Sequence, residues 1–361
     1  MSALVAAGLQ LTVLGKHAPA VHRKSIAARY LNAAPVARIL SITPKLYLAL
    51  SDLREHKPAT LKTLGPMVYN PVASVDLRYL ATPYGQVISL TGPGAPAVTP
   101  TKFSMNSFQQ TSPTSAFADD DRYVVVLGSS AGFGTTVNPI SVEALATGRS
   151  VNLGIGDNVA GDPAGPGVVT SVAAAIRPTA QATQMFPDGS VQLRDAGKAR
   201  VTLATIAQLD RDVLLPAGAQ AALFPFPDPA GDKVAVAVEP TAANQRAGVV
   251  VMTRTGHVIK TFTGLSGLIA PAWTQAGKSL AFATSGPQPM LRIWDGASTH
   301  VVNLPVGEYG SCVWSPDDAW VLCPAVGPAA TGQNWFLSSA AGSTMVRTSG
   351  PGFPIAWLRG K

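Results

Sequence analysis

The two cysteines of this 361-residue chain, Cys312 and Cys323, stand at the ends of the stretch "CVWSPDDAWVLC". If the residues on either side of 315–318 form antiparallel strands with Trp314 opposite Val321, the two cysteines lie directly opposite each other. Directly opposed Cα atoms of a non-hydrogen-bonded pair are about 4.5 Å apart, near the lower end of the range that a disulfide bridges. A zinc site is disfavoured because zinc needs four ligands, and two cysteines with no nearby histidine supply too few. A redox motif is disfavoured because its cysteines stand closer together in the sequence. The spacing therefore indicates either a hairpin disulfide, which requires an oxidising compartment, or two buried thiols.

Ser130 is the residue that a catalytic motif would single out, because residues 128–132 read G-S-S-A-G and match G-x-S-x-G. In a hydrolase that serine stands on a sharp turn from a strand into a helix. Here the motif is followed by "GFGTTVNPISVEAL", in which Gly, two Thr and Pro stand where the helix should begin. We therefore interpret Ser130 as part of a loop between two strands, and the sequence predicts no catalytic residue.

The five histidines show no H-x-x-x-H or H-E-x-x-H spacing, so the sequence predicts no metal site built by the protein. The stretch "GIGDNVAG" at residues 154–161 lacks the glycine spacing of a phosphate-binding loop and is interpreted as a turn. No cofactor is predicted. One histidine, His257, follows a glycine turn and is expected to be exposed at a hairpin tip; the others are His17, His22, His56 and His300.

A repeated pattern sets the fold class: a short apolar strand, a polar turn rich in Asp and Gly, and a second apolar strand occur five times. A gap of 111 residues between two copies leaves room for a degraded one, with "GVVTSVAAAI" and "PDGSVQLRDAGKARVTL" as its strands. Two more strands follow each copy, and four strands per 40–45 residues is the spacing of a β-propeller blade. The prediction is an all-β propeller of six or seven four-stranded blades, since an ordinary β-sandwich would not repeat the same turn. The second-strand anchors are Tyr79, Tyr123, Val234, Leu280 and Trp320.

The repeated turns resemble a known family. "SPDDAW", "SVDLRY", "ADDDRY" and "PAGDKV" are similar to the strand-turn-strand signature of TolB-like and WD-repeat-like propellers. "RIWD" at residues 292–295 is similar to the Trp-Asp ending of a WD-type third strand. The resemblance covers roughly residues 66–358, and the Pro-Asp of that signature is intact at 187–188 and 316–317. It implies the fold and says almost nothing about function.

The C-terminal stretch "PIAWL" resembles the first strand of a further unit that then stops. We expect residues 355–358 to complete a blade begun by N-terminal strands near "KLYLAL". Joining the two chain ends in this way would close the ring and remove an exposed sheet edge.

All six tryptophans lie in the last 89 residues. They indicate either packing between blades or an aromatic rim that binds sugar or peptide. Trp273 and Trp314 occupy equivalent first-strand positions, which favours packing. The other four are Trp294, Trp320, Trp335 and Trp357.

Composition supports a strand-and-turn protein with an unusual N-terminus. Gly and Pro number 34 and 30, hydrophobic residues make up 47% of the chain and charged residues 13%, which is atypical of a helical bundle or a disordered chain. The net charge of +7 resides in residues 1–65, whereas the remainder is neutral. Residues 3–14 are apolar and precede an A-x-A sequence at 18–20, as in a secretory signal, although no basic residue precedes them and Lys16 lies near the cleavage position. The predicted division is a leader at 1–30 and a propeller at 31–361.

These observations favour a non-catalytic, monomeric propeller that binds a protein or cell-envelope component, outside the cytoplasm and secreted or associated with the membrane. The basic N-terminus could contact a membrane surface. Nucleic acid is disfavoured as a partner because the body of the chain is neutral and carries no recognition motif. Two alternatives stay open: a propeller-type hydrolase or lactonase with a site in the central channel, and a cytoplasmic scaffold.

Overall fold

We describe the protein from a computed structural model. The described residues lie mostly in strands, and they include one short helix. The structure describes residues 12–13, 37–43, 48–52, 59–62, 72–74, 78–81, 86–89, 97–100, 116–127, 138–172, 189–214, 221–240, 246–267, 269–327, 330–342 and 345–359.

The described strands form seven antiparallel sheets, which we number I to VII along the chain. Sheet I is built from both ends of the chain, because its first strand is the C-terminal strand β30. Sheets II to IV are each four consecutive strands that pair in chain order. The strands of sheet I are β30 (Phe353–Arg359), β2 (Ala37–Ile42), β3 (Leu48–Asp52) and β4 (Ala59–Lys62); of sheet II, β5 (Val72–Ala73), β6 (Tyr79–Ala81), β7 (Gln86–Ser89) and β8 (Ala97–Pro100); of sheet III, β9 (Phe117–Ala118), β10 (Tyr123–Leu127), β11 (Asn138–Ala144) and β12 (Ser150–Gly156); of sheet IV, β13 (Val159–Asp162), β14 (Gly167–Val172), β15 (Ser190–Asp195) and β16 (Val201–Thr205).

Sheets V and VI repeat this order, and sheet VII is larger. In sheet VII, two short strands pair with one edge of β27, and β1 from the N-terminal segment pairs with β29 at the opposite edge. The strands of sheet V are β17 (Ala221–Pro227), β18 (Lys233–Pro240), β19 (Ala247–Thr253) and β20 (Val258–Leu265); of sheet VI, β21 (Ala272–Trp273), β22 (Leu280–Ala283), β23 (Met290–Trp294) and β24 (Thr299–Asn303); of sheet VII, β25 (Glu308–Tyr309), β26 (Val313–Trp314), β27 (Trp320–Gly327), β28 (Ala330–Ser339), β29 (Met345–Ser349) and β1 (Thr12–Val13).

The predicted repeat is confirmed strand by strand. Each of the five anchors begins a second strand or lies one residue into it. The degraded copy is sheet IV, whose β14, β15 and β16 are the strands predicted in the long gap. The interpretation of residues 154–161 as a turn is wrong: residues 154–156 end β12, residues 159–161 belong to β13, and only Asp157 and Asn158 bend between them. Residues 154–161 are rich in glycine and short polar residues, which are typical of turns, and for this reason the two strands were not predicted there.

The core lies between neighbouring sheets, and the alternation of β18 shows why the sheets must pack on both sides. Its sequence "KVAVAVEP" places Val234, Val236 and Val238 on one face and Ala235 and Ala237 on the other. The valines join the apolar cluster shared with sheet IV, whereas the alanines join the cluster shared with sheet VI. Because burial of one valine contributes roughly 1.5–3 kcal/mol, both neighbours stabilise this strand.

The one described helix, α1 (Ile206–Asp212), connects sheet IV to sheet V. It begins after the N-cap Thr205, whose hydroxyl accepts a hydrogen bond from the Gln208 amide at 3.3 Å. The Gln208 side chain accepts one in return from the Thr205 amide at 2.9 Å. This capping box fixes the start of the helix.

The predicted pairing of the chain ends is present. β30 pairs antiparallel with β2, with Trp357 opposite Ile39 and Ala356 opposite Leu40. β2 in turn pairs with β3, which lies in the "KLYLAL" region named from the sequence. Ile39, Trp335 and Trp357 pack in one cluster between sheets VII and I. The division into a leader at 1–30 and a propeller at 31–361 stays a prediction.

Candidate functional site

The two cysteines form a disulfide in the structure, with Cα atoms 4.2 Å apart. The strand register is the predicted one, because Trp314 pairs with Val321 and Val313 with Leu322. Both cysteines are buried in the apolar cluster between sheets VI and VII. The disulfide therefore lies inside the molecule and fixes the hairpin that carries the "SPDDAW" turn.

Ser130 lies outside the described residues. The strands on either side of its loop are β10 and β11, which pair antiparallel as second and third strands of sheet III. His257 is exposed at the turn between β19 and β20, as predicted. His300, at the start of the last strand of sheet VI, lies 3.5 Å from Asp295. The structure does not bring His257 and His300 into one described site.

One polar residue begins the first turn of several sheets and holds it by the same two bonds. Its backbone amide donates a hydrogen bond to the carbonyl of the residue five positions later. Its side-chain oxygen accepts a hydrogen bond from the amide of that same residue. We call these residues turn caps, and all four are buried; they are Ser74, Asp228, Thr274 and Ser315, which accept from the amides of residues 79, 233, 279 and 320 at 2.9–3.1 Å.

Three residues after the turn cap, the backbone takes a positive φ. Gly231 and Gly277 occupy this position in sheets V and VI, with φ of 74° and 66°. Asp318 occupies it in sheet VII, with a φ of 57°. In sheet III, where Ala118 stands in place of a turn cap, Asp121 takes the corresponding position with a φ of 62°. Glycine and, among other residues, aspartate tolerate this conformation, which explains why the repeat appears in the sequence as an Asp/Gly turn.

The first turns of sheets III to VII contact one another side by side and form one surface, which we call the turn face (residues 119–122, 163–166, 228–232, 274–279 and 315–319). Between sheets III and IV, the Asp119 amide donates to the Asp162 carbonyl at 2.8 Å and the Asp120 amide to the Pro163 carbonyl at 2.9 Å. Between sheets VI and VII, the Asp318 carboxylate accepts hydrogen bonds from the Gln275 and Ala276 amides. These bonds hold neighbouring turns in fixed positions.

Side-chain cations connect the turns in the middle of this surface. Lys233 donates to the Asp228 carboxylate at 3.1 Å and to the Gly277 carbonyl of the next sheet at 3.0 Å. Arg254, from the turn between β19 and β20, donates through both terminal nitrogens to Asp162 of sheet IV at 2.6 Å each. Bidentate pairs of this kind are strong and fix geometry.

Asp162 stands at the turn-cap position of sheet IV and is almost fully buried. Burial raises the pKa of its carboxyl, whereas the hydrogen bonds and charge of Arg254 lower it. Its carboxylate accepts a hydrogen bond from the Ala164 amide of its own turn at 3.1 Å and also binds Arg254 of sheet V. In sheet IV the turn-cap position thus serves as an inter-sheet contact as well.

The turn face presents charges of both signs to solvent. Exposed acidic and basic side chains alternate along it, next to the fixed inter-turn contacts. They are Asp120, Arg122, Asp232, Lys278 and Asp317.

Two half-buried carboxyl groups lie at the opposite ends of the strands. Asp157, between β12 and β13, has its pKa raised to about 6 by burial. Glu239, near the end of β18, has its pKa raised by burial, although a 2.8 Å hydrogen bond from the Ile269 amide lowers it. Over the described residues, no group of three or more His, Cys, Asp or Glu side chains is placed to hold a metal ion.

The packing interpretation of the tryptophans is confirmed. Five of the six are buried, and Trp273 is half-buried. The indole of Trp273 donates to the Phe226 carbonyl of the preceding sheet, and that of Trp314 donates to the Ala272 carbonyl, both at 2.8 Å. These equivalent residues join adjacent first strands.

Sequence reasoning missed the turn caps and the Arg254–Asp162 contact. A usable signal for the caps was present in the sequence. In five of the six sheets II to VII, a Ser, Thr or Asp stands five residues before the residue that ends the first turn. The ion pair carried no such signal, since its residues are 92 positions apart.

Comparison with known proteins bears on the fold. No protein-family model matches the chain, and no curated protein sequence matches it. TolB from Acinetobacter baumannii aligns with 89% of this chain at 12% identity and a TM-score of 0.43, and the chain spans 66% of that protein. The Cps50 (Swd1) β-propeller domain of Myceliophteria thermophila aligns with 79% of this chain and 87% of its own, at 15% identity and a TM-score of 0.51.

A structure from a study of two prolyl endopeptidases aligns with 90% of this chain and 52% of its own, at 10% identity and a TM-score of 0.50. Seven antiparallel sheets and these neighbours agree on one fold. The chain is a β-propeller. The resemblance to WD-repeat-like propellers that the turns suggested is thereby supported at the level of fold. Within the part of this propeller that the structure describes, no helix is long and apolar enough to cross a bilayer.

Proposed function

We propose that this propeller is a non-catalytic binding platform that acts outside the cytoplasm and binds a protein or cell-envelope component at its turn face. The observation that carries the proposal is the row of bonds between the first turns of sheets III to VII. A surface that is already ordered loses little conformational entropy when a partner binds.

The charges of the turn face support recognition of a polar partner. Asp232, Lys278 and Asp317 are exposed, whereas the residues that hold the turns, such as Asp228 and Thr274, are buried. Exposed charges of both signs on a fixed frame provide electrostatic complementarity, which selects partners and raises association rates.

The test is photo-crosslinking from single positions in the protein expressed in its native host. A crosslinking amino acid at Asp232 or Asp317 should capture one and the same macromolecule. The matched controls are Gln288 and Val306, which are exposed in connections at the opposite ends of the strands. Capture from the control positions alone, or from no position, would overturn the proposed turn-face role.

The extracytoplasmic location is supported by the disulfide, since such bonds persist in oxidising compartments. We expect Cys312 and Cys323 of the natively expressed protein to react with a thiol reagent only after unfolding and reduction. Intact mass on the same sample should show the loss of about twenty N-terminal residues, the length of a signal segment. A full-length chain whose thiols react on unfolding without reductant would place the protein in the cytoplasm.

A further inference from the structure

Arg194 is a buried cation that has no carboxylate partner among the described residues. It lies on β15 with a relative exposure of 2%. Its guanidinium donates to the Leu153 and Ile155 carbonyls of β12 in the neighbouring sheet. Its remaining bonds go to the Gln192 amide oxygen, at 3.1 and 2.9 Å. All of these acceptors are neutral, so the positive charge of Arg194 is solvated by dipoles alone.

The backbone of β12 is shaped to receive this side chain. The pairing of β11 with β12 slips between Ile140–Gly154 and Ser141–Asn152, which leaves Leu153 as an extra, bulged residue. The Asn152 side chain accepts a hydrogen bond from the Gly154 amide at 2.7 Å, and Gly154 takes a φ of 93°. A bulge turns carbonyl groups away from their own sheet, and here the Leu153 carbonyl is among those that face sheet IV.

A second arginine converges on the same point. A Cβ atom placed on Gly154 would lie 3.1 Å from a terminal nitrogen of Arg200 and 3.4 Å from a terminal nitrogen of Arg194. Arg200 is exposed, at the start of the last strand of sheet IV. Within the described part of the chain, neither guanidinium has a carboxylate within 4.0 Å, and Arg200 makes no hydrogen bond. Burial, with the charge of Arg200, lowers the pKa of Arg194 to about 10, so this buried guanidinium stays charged at neutral pH.

Two like charges therefore meet beside Gly154, one on a buried side chain and the other on an exposed one. An arginine offers five N–H donors in a planar fork that matches the oxygens of a carboxylate or phosphate. Arg194 Nη1 donates both of its N–H groups to the Leu153 and Ile155 carbonyls, Nη2 keeps one N–H free among the described contacts, and Arg200 keeps its whole fork. An anion bound by the Arg200 fork and this Nη2 would relieve the repulsion and gain charge-assisted hydrogen bonds.

We propose that Arg194 and Arg200, beside Gly154, form an oxyanion-binding site where sheets III and IV meet, for a carboxylate or a phosphoryl group. This site is distinct from the binding role proposed for the turn face. Its arginines belong to sheet IV and its glycine to the last strand of sheet III, and either proposal can fail without the other.

The test is a titration of the full chain, followed by NMR of the arginine Nε–Hε signals at constant ionic strength. Inorganic phosphate is the probe in one series and acetate in the other, with chloride as the balancing anion. We expect saturable shifts with a Kd of about 1–10 mM, the affinity of a small ligand with few contacts. Saturation with phosphate alone identifies a phosphoryl site, and saturation with acetate identifies a carboxylate site.

Arg200→Gln should weaken binding at least ~10-fold, because it removes one of the two charged forks. Arg200 is exposed, so the variant should fold, which circular dichroism checks. Arg200→Lys should recover part of the affinity, since the charge returns without the fork. The matched control is Arg149→Gln, which removes an exposed arginine just before β12 and should leave the Kd unchanged. Non-saturating shifts with both anions, or equal affinity in Arg200→Gln, would overturn the proposal.

Discussion

At the residue scale, the contact between Arg254 and Asp162 shows how the turn face is held together. The carboxylate is buried to about 1% exposure, while the arginine side chain keeps 26%. A buried carboxylate without a partner costs several kcal/mol, so the arginine is required once the aspartate is present. The pair orders two turns that belong to different sheets.

Arg254→Gln should lower the free energy of unfolding by about 2–4 kcal/mol, because it leaves the Asp162 charge buried and unpaired. Urea unfolding at pH 7 measures this. Adding Asp162→Asn to the variant should recover part of the loss. The control is Arg122→Gln. The Arg122 side chain is 70% exposed in its ion pair with Asp119, so the loss of this pair should lower the free energy of unfolding by less than about 1 kcal/mol. Equal effects of the two single variants would contradict the argument.

Asp157 gives the protein a predictable pH dependence. Its folded-state pKa is raised to about 6 by burial, above its unfolded value near 4. The folded state therefore binds the proton more tightly, and this group destabilises the fold increasingly as the pH rises from about 4 to about 6. Because Asp157 is partly exposed, we expect about 1–2 kcal/mol and not the full effect of the shift.

Asp157→Asn should stabilise the protein at pH 7 and should change stability little at pH 4. The measurement is the midpoint of urea unfolding across this pH range. If the difference between wild type and variant does not grow as the pH rises, Asp157 is ionised as freely in the folded chain as in the unfolded one.

At the element scale, the turn caps explain why the hairpins are alike. Each cap accepts amide hydrogen bonds that the tight turn would otherwise leave unsatisfied in a buried place. The positive φ three residues later allows the chain to reverse. A short polar residue followed three positions later by Gly or Asp is therefore the local sequence pattern that favours this turn.

Thr274→Val should destabilise the protein by about 1–3 kcal/mol. The substitution keeps the shape of the side chain but removes the acceptor for the Lys278 and Ser279 amides. Thermal and urea unfolding measure the change. Thr263→Val is the matched control, since Thr263 is exposed on β20 and should be close to neutral. An unchanged Thr274→Val variant would mean that water satisfies both amides.

At the scale of the whole molecule, each sheet packs on its neighbours and the chain ends meet in sheet I. The buried indole of Trp357 lies in the cluster that also contains Trp335 and Trp320 of sheet VII. Because a single sheet cannot bury both of its faces, the loss of one strand should weaken both neighbours. We therefore propose that β30 closes the ring.

Deleting residues 352–361 should lower the thermal midpoint of the whole propeller and reduce the cooperativity of its unfolding. Circular dichroism and calorimetry together measure this. Deleting only residues 360–361, which leaves β30 intact, should have little effect. A truncated chain that melts like the full one would show that sheet I does not need its C-terminal strand.

The sequence by itself determined the local parts of this protein. These parts are the period-two alternation of strands such as β18, the Asp/Gly turns and the opposed cysteines. Each depends on residues a few positions apart, so the local sequence predicts its geometry. The pairing of "PIAWL" with N-terminal strands was also predictable, because an incomplete repeat at one end needs strands from the other.

The tertiary structure alone decided which distant side chains meet. Arg254 meets Asp162 in this way, and Arg194 meets the Leu153 carbonyl 41 residues away. In both pairs the two residues come together because the sheets that carry them pack against each other. The strand hidden in "GIGDNVAG" was lost for a related reason: Val159–Asp162 is stabilised by its pairing with β14 and its burial between sheets, not by its own propensity. Contacts of this kind depend on packing energies summed over many residues, so they cannot be predicted from any single stretch of sequence.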